Sequence, residues 1–223
     1  MADTDNTDSR MNRIQFPNPR NSTPEGLVAM GGNLEIETLE AAYRSGLFPW
    51  PQEDLPLLWF SPDPRGILDF ADLHIPDSLK KWARKHKDWE FTINRAFKDV
   101  ISQCRIQKRP GQEGTWILPE MVEAYVRLFD AGRILSLECW SHGNLIGGIY
   151  GVMTLTAKGE MLFSGESMFH AVDNASKMCL WKLVEHLQKQ GHRWIDIQMI
   201  TDVTKLMGGK YISREEFLGR IGV

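Results

Sequence analysis

Only three cysteines occur in the 223 residues, Cys104, Cys139 and Cys179, each isolated and with no C-x-x-C pair. That excludes a disulfide framework and a cysteine-built zinc site, and suits a reducing, cytoplasmic setting. The six histidines are scattered without an H-x-x-x-H pair, so no metal is expected. No apolar run approaches the roughly 20 residues that span a bilayer. The opening MADTDNTDSRMNR is polar and lacks the apolar core of a signal peptide, so neither export nor membrane attachment is expected. A net charge of −3 leaves nucleic-acid binding to a local patch and not to overall charge. Phosphate-binding fingerprints are missing too. There is no P-loop, and the glycines of LIGGIYGV lie inside a strand and not at a strand-to-helix turn. No G-x-S-x-G elbow offers a serine nucleophile. RPGQEG and GGIYGV both miss the R/Q-x-x-G-x-G/A spacing that coenzyme A would want. No cofactor is expected.

What is present is an ordinary globular composition, 42% hydrophobic, enough for one large core or a core with a small companion. Residues 1–13 read as disordered. FPNPRNSTPEG is extended and turn-rich, because each proline moves its predecessor out of helix. NLEIETLEAAYRSG reads as a helix capped by Asn33, with Ile36, Leu39 and Tyr43 on one side and Gly46 ending it. LFPWPQEDLPLLWFSPDPRG, with five prolines and two tryptophans, reads as a stiff connector holding one short strand at 57–60. A boundary near Asp63 divides a small N-terminal domain, 14–62, from a larger one, 63–223.

Strand GILDF and helix DSLKKWARKHK follow. At 100° per residue Leu79, Trp82, Ala83 and His86 gather on one arc, and Lys80, Lys81, Arg84, Lys85 and Lys87 on the other. A solvated face is the plain reading. With no acid interleaved, the like charges repel, which makes phosphate-backbone contact a fair alternative. Next come strand EFTIN, helix NRAFKDVISQC with Asn94 as cap, the loop GQEGTWIL, and helix PEMVEAYVRLFDAG with Pro119 in its first turn. RILSLECW, LIGGIYGVMTL and MLFSGES read as three antiparallel strands. Asn174 opens helix ASKMCLWKLVEHLQKQ; then come strand HRWIDIQMI, a short TKLMGG segment, and a last helix with a Ser213–Glu216 capping box. The order implies an α+β fold, a mostly antiparallel sheet flanked by helices in an N-acetyltransferase-like arrangement.

Three segments carry chemistry. In HRWIDIQMI, strand alternation puts Trp194, Asp196, Gln198 and Ile200 on one face and Ile195, Ile197 and Met199 on the other. A carboxylate in an otherwise apolar strand needs partners or a task; both readings stay open. Glu166 follows a strand and lies between Gly165 and Ser167, where backbone can approach a ligand. Trp50 and Trp116 in loops, and Tyr43 and Tyr125 on helices, either anchor the core or stack on nucleobases, at about 1–3 kcal/mol per base.

Taken together and in order, GLVAMGGNL, AAYRSGLFPW, WFSPDPRGIL, EGTWI…EAYVRL, GGIYGV, LFSGESMF, NASKMCL and IDIQM resemble the bacterial leucyl/phenylalanyl-tRNA–protein transferase family, over about residues 16–221. The resemblance implies a small N-terminal domain beside an acetyltransferase-like (GNAT-like) one. It implies a monomer that moves Leu or Phe, and by pocket chemistry Met, from leucyl- or phenylalanyl-tRNA to proteins beginning with Arg or Lys. Those products enter N-end-rule degradation. By position, Asp196, Gln198 and Glu166 match the catalytic residues. Tyr43, Trp50, Trp116 and Tyr125 match aromatics around the tRNA 3′ adenosine and the site entrance. Ile149, Phe163, Met168, Leu180 and Ile195 match the side-chain pocket, and Lys80, Lys81, Arg84, Lys85 and Lys87 the tRNA-contacting helix. The chain departs from the family pattern at Ile197, usually Cys, at Ile149, usually Met, and in ITDVTKLMGG, segments that bear on donor and acceptor choice. Beside this stand two alternatives, a ligase using the same donor on another amine and a non-catalytic tRNA-binding module.

Overall fold

The computed structural model describes residues 14–52, 54–108 and 115–223. The stretch 1–13, expected to be disordered, and the GQEG part of the 111–118 loop lie outside them. The first elements are β1 (Leu27–Met30), α1 (Ile36–Arg44), β2 (Phe48–Pro49) and β3 (Leu58–Phe60), and the three strands form a small sheet in the order β1-β3-β2. Only β3 shows in the sequence pattern. β1 is irregular in register between Leu27 and Ala29. β2 is two residues long and includes Pro49, which an edge strand tolerates because it need not donate outward. Asn33 does not cap α1: the N-cap is Glu35, and Asn33 Oδ1 instead accepts the Glu35 N–H (3.1 Å) and the Thr38 hydroxyl (2.6 Å). That is an Asx turn leading into the helix, built from the same side-chain chemistry as a cap.

The chain continues through β4 (Arg65–Asp69), α2 (Asp77–Lys85), β5 (Glu90–Ile93), α3 (Phe97–Ile106), α4 (Pro119–Asp130), β6 (Ile134–Ser141), β7 (Asn144–Leu155) and β8 (Met161–His170). It ends with α5 (Ala175–Lys189), β9 (Trp194–Gln198), α6 (Asp202–Leu206), β10 (Lys210–Ile212) and α7 (Arg214–Ile221). Seven strands make one sheet in the order β10-β4-β9-β8-β7-β6-β5, antiparallel throughout except where β8 meets β9. The fold is α+β, and the meander β6-β7-β8 followed by the crossover helix α5 to a parallel β9 is the expected acetyltransferase-like arrangement. β10 is absent from the sequence reading, three residues being too short to show alternation.

Alternation along the strands feeds two faces. Leu68, Leu137, Ile149, Phe163 and Ile195 pack with α5 and α2. Tyr150 and Val152 pack with α3, α4 and residues of the N-terminal segment, Leu39, Tyr43, Phe48 and Trp59, in one core that runs across residue 63. At the β4 end the same face is covered by α7, through Ile67, Phe217 and Ile221. Gly147 and Gly148 of LIGGIYGV are explained by this sandwich. A Cβ at Gly147 would stand 2.7 Å from Ala175 Cβ of α5, and one at Gly148 would stand 2.8 Å from Val100 of α3.

Two further caps differ from expectation. Asn94 accepts the Ser136 N–H (2.7 Å) and stands three residues before α3. The start of α3 is served by buried Glu138, which accepts the N–H groups of Arg95 and Ala96 and the Thr92 and Ser136 hydroxyls. At α7 only half the box forms: Ser213 accepts the Glu216 N–H (3.1 Å), while the Glu216 carboxylate takes Arg220 (2.9 Å). The basic arc of α2 points to solvent as expected, but Asp77 in its first turn holds Lys80 at 3.2 Å. Among the described residues no helix is long and apolar enough to cross a membrane, and no group of three or more His, Cys, Asp or Glu could hold a metal.

Candidate active site

β8 and β9 pair at a single position, Ser164 with Asp196. Beyond it, Gly165 to Met168 on one strand and Ile197 to Met199 on the other line a cavity of about 210 Å³. Ile149, Phe163, Leu180 and Ile195 complete an apolar floor, Thr201 and Thr204 of the α6 turn form part of the wall, and Trp50 and Trp116 also line it. Cavities of about 150 Å³ lined by such residues already take a benzene ring. The two tryptophans stack, centroids 5.5 Å apart and planes 19° from parallel.

Glu166 does not follow a strand; it lies inside β8. Gly151 pairs with Gly165 and Tyr150 with Ser167, so Glu166 is the extra residue of a bulge. Bulges re-aim a side chain out of the alternation. Its Oε1 accepts the Tyr43 hydroxyl (2.8 Å) and the Gln198 amide Nε2 (2.8 Å), and its Oε2 accepts the Tyr125 hydroxyl (2.9 Å). The two tyrosine oxygens are themselves 2.6 Å apart. Three contacts therefore close a ring of Glu166, Tyr43 and Tyr125, and two hydroxyl protons fill two of them. All three are filled when Glu166 takes up a proton on Oε2 and donates it to the Tyr125 oxygen, with the Tyr125 hydroxyl turned to Tyr43, whose own hydroxyl still reaches Oε1. Burial acts in the same direction. It raises the Glu166 carboxyl to about 7, the negative charge of Asp196 adds to the rise, and the donors of Tyr43, Tyr125 and Gln198 oppose it. Burial and the neighbouring Glu166 charge hold both tyrosine hydroxyls well above their ordinary pKa, so they remain donors.

Gln198 breaks the alternation of β9. Its φ is +59°, and the Met199 N–H turns back to the Ile197 carbonyl at 2.5 Å, closing a three-residue turn around it. A long side chain in this region costs about 1–3 kcal/mol and persists only where the surroundings fix it. Here the Gln198 N–H is held by Asp196 Oδ1 (2.9 Å) and its side-chain amide by Glu166. Asp196 keeps the alternation and so lies across the sheet from the cavity-lining Ile195 and Ile197. Its two oxygens take the Arg65 guanidinium in a fork, Nε at 2.9 Å and Nη2 at 2.7 Å, with both side chains 1% exposed.

The structure thus separates the pair that strand periodicity puts side by side. Gln198 lines the cavity with Glu166, Ile149, Phe163, Met168, Leu180, Ile195, Trp50 and Trp116; Asp196 does not. Asp196, which the resemblance sets among the catalytic residues, has its oxygens occupied by Arg65 and the Gln198 backbone. Tyr43 and Tyr125 are buried core residues whose hydroxyls fix Glu166, and their faces are not offered to a base. Lys80, Lys81, Arg84, Lys85 and Lys87 stand exposed on and just after α2, outside the cavity lining. Arg65 and Met199 were not foreseen as site residues, whereas Ile197, and Thr201 and Thr204 within ITDVTKLMGG, fall where the chain departs from the family pattern. The clue to Arg65 was the unpartnered Asp196 itself, since a buried acid calls for a buried cation.

The chain is similar to several known proteins. Residues 67–222 match the family model described as leucyl/phenylalanyl-tRNA protein transferase, and residues 32–63 match the model of that family's N-terminal domain. A leucyl/phenylalanyl-tRNA–protein transferase of Maridesulfovibrio salexigens is 47% identical over 204 residues, 91% of this chain and 82% of that protein. One from an Anaeromyxobacter species is 44% identical over 209 residues, 94% of this chain and 86% of its own. Among solved structures, a ribosomal-protein-alanine N-acetyltransferase from Brucella melitensis aligns at TM-score 0.39 and 15% identity, over 53% of this chain and 86% of that one. The protein is a transferase. It belongs to the leucyl/phenylalanyl-tRNA–protein transferase family.

Proposed function

We propose that the protein moves Leu or Phe, and more weakly Met, from aminoacyl-tRNA to the N-terminal Arg or Lys of acceptor proteins, marking them for N-end-rule degradation. The observation that carries this reading is an apolar cavity of side-chain size with one carboxylate, titrating at about 7, in its lining. The transferred side chain fills the floor built by Ile149, Phe163, Met168, Leu180 and Ile195. Such a floor separates neighbours differing by a methylene by only about 1–3 kcal/mol, which suits more than one donor. The Trp50–Trp116 stack takes the terminal adenosine, and the outward cations of α2 take phosphates further along the tRNA.

The ester is already activated, so the protein's work is to align an amine with it and remove a proton; alignment alone supplies roughly 7–11 kcal/mol of the barrier. An N-terminal ammonium titrates near 7.7–8.0, within about one unit of Glu166, so proton transfer between them is close to balanced. Glu166 takes the first proton. Gln198, with Nε2 bound to Glu166, presents Oε1 to the amine and orients its lone pair. Nitrogen attacks the carbonyl carbon; the C–N bond forms, the C–O bond breaks, and a second nitrogen proton leaves with the ribose oxygen. The decisive assay supplies labelled leucyl- or phenylalanyl-tRNA with peptides beginning Arg, Lys, Asp or Ala. Label on the Arg and Lys peptides alone supports the proposal; label on another amine points to a ligase, and tRNA binding without transfer to a carrier module.

A further inference from the structure

We infer that Arg65 is a positioning residue for the transfer reaction: through Asp196 it fixes the left-handed turn that aims Gln198 into the cavity. This rests on the reading of Gln198 as the group that orients the acceptor amine. Arg65 begins β4, and its guanidinium is clamped on every side. Phe48 of the N-terminal sheet and Phe217 of α7 lie on it at 4.9 and 4.3 Å, its Nη1 reaches the Gly46 carbonyl at 3.3 Å, and its remaining donors fork onto Asp196. A guanidinium held in this way fixes the plane of the carboxylate it meets. Asp196 then has one task left, to accept the Gln198 N–H at 2.9 Å. The neighbouring residue, Gly66, lies opposite Gln198 in the sheet, and a Cβ there would stand 3.1 Å from the Gln198 carbonyl oxygen. So Arg65 and Gly66 act on one turn, the first holding its anchor and the second making room for it. An ion pair serving only cohesion has no reason to end on the backbone of a strained residue that lines the cavity.

The test uses the full chain, leucyl-tRNA and an Arg-initiated peptide, with kcat expressed per folded molecule. Gln198→Ala comes first: if it transfers at the wild-type rate, the reading of Gln198 fails, independently of Arg65. With Gln198→Ala inactive, Arg65→Lys, which keeps charge but loses the fork, is expected to lower kcat about 10²-fold while KM for leucyl-tRNA stays unchanged. The double variant Arg65→Met with Asp196→Leu removes both buried charges together, a change that buried pairs often tolerate; it is expected to fold and to show the same loss of kcat. Phe217→Leu, which takes away one face of the clamp, should lower kcat by a smaller factor and covers the case in which the others unfold. Unchanged kcat per folded molecule, or a loss appearing only in KM, overturns the inference.

Discussion

Asp196 and Glu166 hold the same glutamine from opposite sides, one by its backbone and one by its side chain. Asp196 has a cation in full contact and no access to the cavity; Glu166 has only neutral donors, a carboxyl pushed up to about 7, and a place in the cavity lining. A buried carboxylate paired with a guanidinium is fixed in charge and serves as scaffold. One surrounded by hydroxyls and an amide is left near its titration point and can take a proton during a reaction. Sharing a neighbourhood and a chemical group does not make two acids equivalent; the charge of the partner decides.

The contrast breaks most visibly at Asp196. Asp196→Ala leaves Arg65 charged and buried, which costs about 3–5 kcal/mol. At about 2–4 °C per kcal/mol for a chain of this size, the melting temperature should fall by roughly 6–20 °C. Thermal unfolding at pH 7 reads this directly. An unchanged melting temperature with transfer lost would return Asp196 to direct contact with substrate.

Glu166→Gln should do the reverse, sparing the fold and removing the chemistry, with kcat/KM falling about 10²–10⁴-fold. Wild-type kcat/KM should rise with pH through about 7 as Glu166 becomes the carboxylate, and the variant should lose that limb. The stability signature has its own sign. Because folding raises the Glu166 pKa above its ordinary value, the native state holds the proton more tightly. The group's contribution to stability is full at acid pH and is lost as pH climbs to about 7 and beyond. Glu166→Gln should therefore gain on the wild type at pH 8 relative to pH 5, as denaturant midpoints at the two pH values would show.

The sequence carried the helices and the hairpin strands because each depends on local periodicity; the apolar floor was implied by the resemblance alone. Ile195, Phe163 and Leu180 were named as pocket residues through the resemblance, and all three line the cavity. The short strands β1, β2 and β10 were hidden, since two to four residues give no period to read. Asn33 and Asn94 were misplaced as caps because Asx turns recruit the same side chain. What stayed out of reach was register. Glu166 is aimed by a bulge that exists only against β7, and Asp196 is committed by an arginine 131 positions away. Strand alternation put Asp196 and Gln198 together; one residue with φ at +59° parted them.

On the surface the same distinction between paired and poised charge recurs in miniature along α2. Lys80 is held by Asp77, whereas Lys81, Arg84, Lys85 and Lys87 have no acid within ion-pair distance among the described residues. If these cations face phosphates, each contact neutralised contributes about 0.7–0.9 to the slope of log affinity against log salt. Lys81→Glu with Arg84→Glu should weaken tRNA binding at low salt and lower the slope by about 1.4–1.8. Lys80→Glu should do least, because that charge is already partly spent within the protein and an exposed ion pair is worth at most about 1 kcal/mol. Filter binding of leucyl-tRNA at several salt concentrations separates them; equal slopes for all variants would make the arc a solvated face.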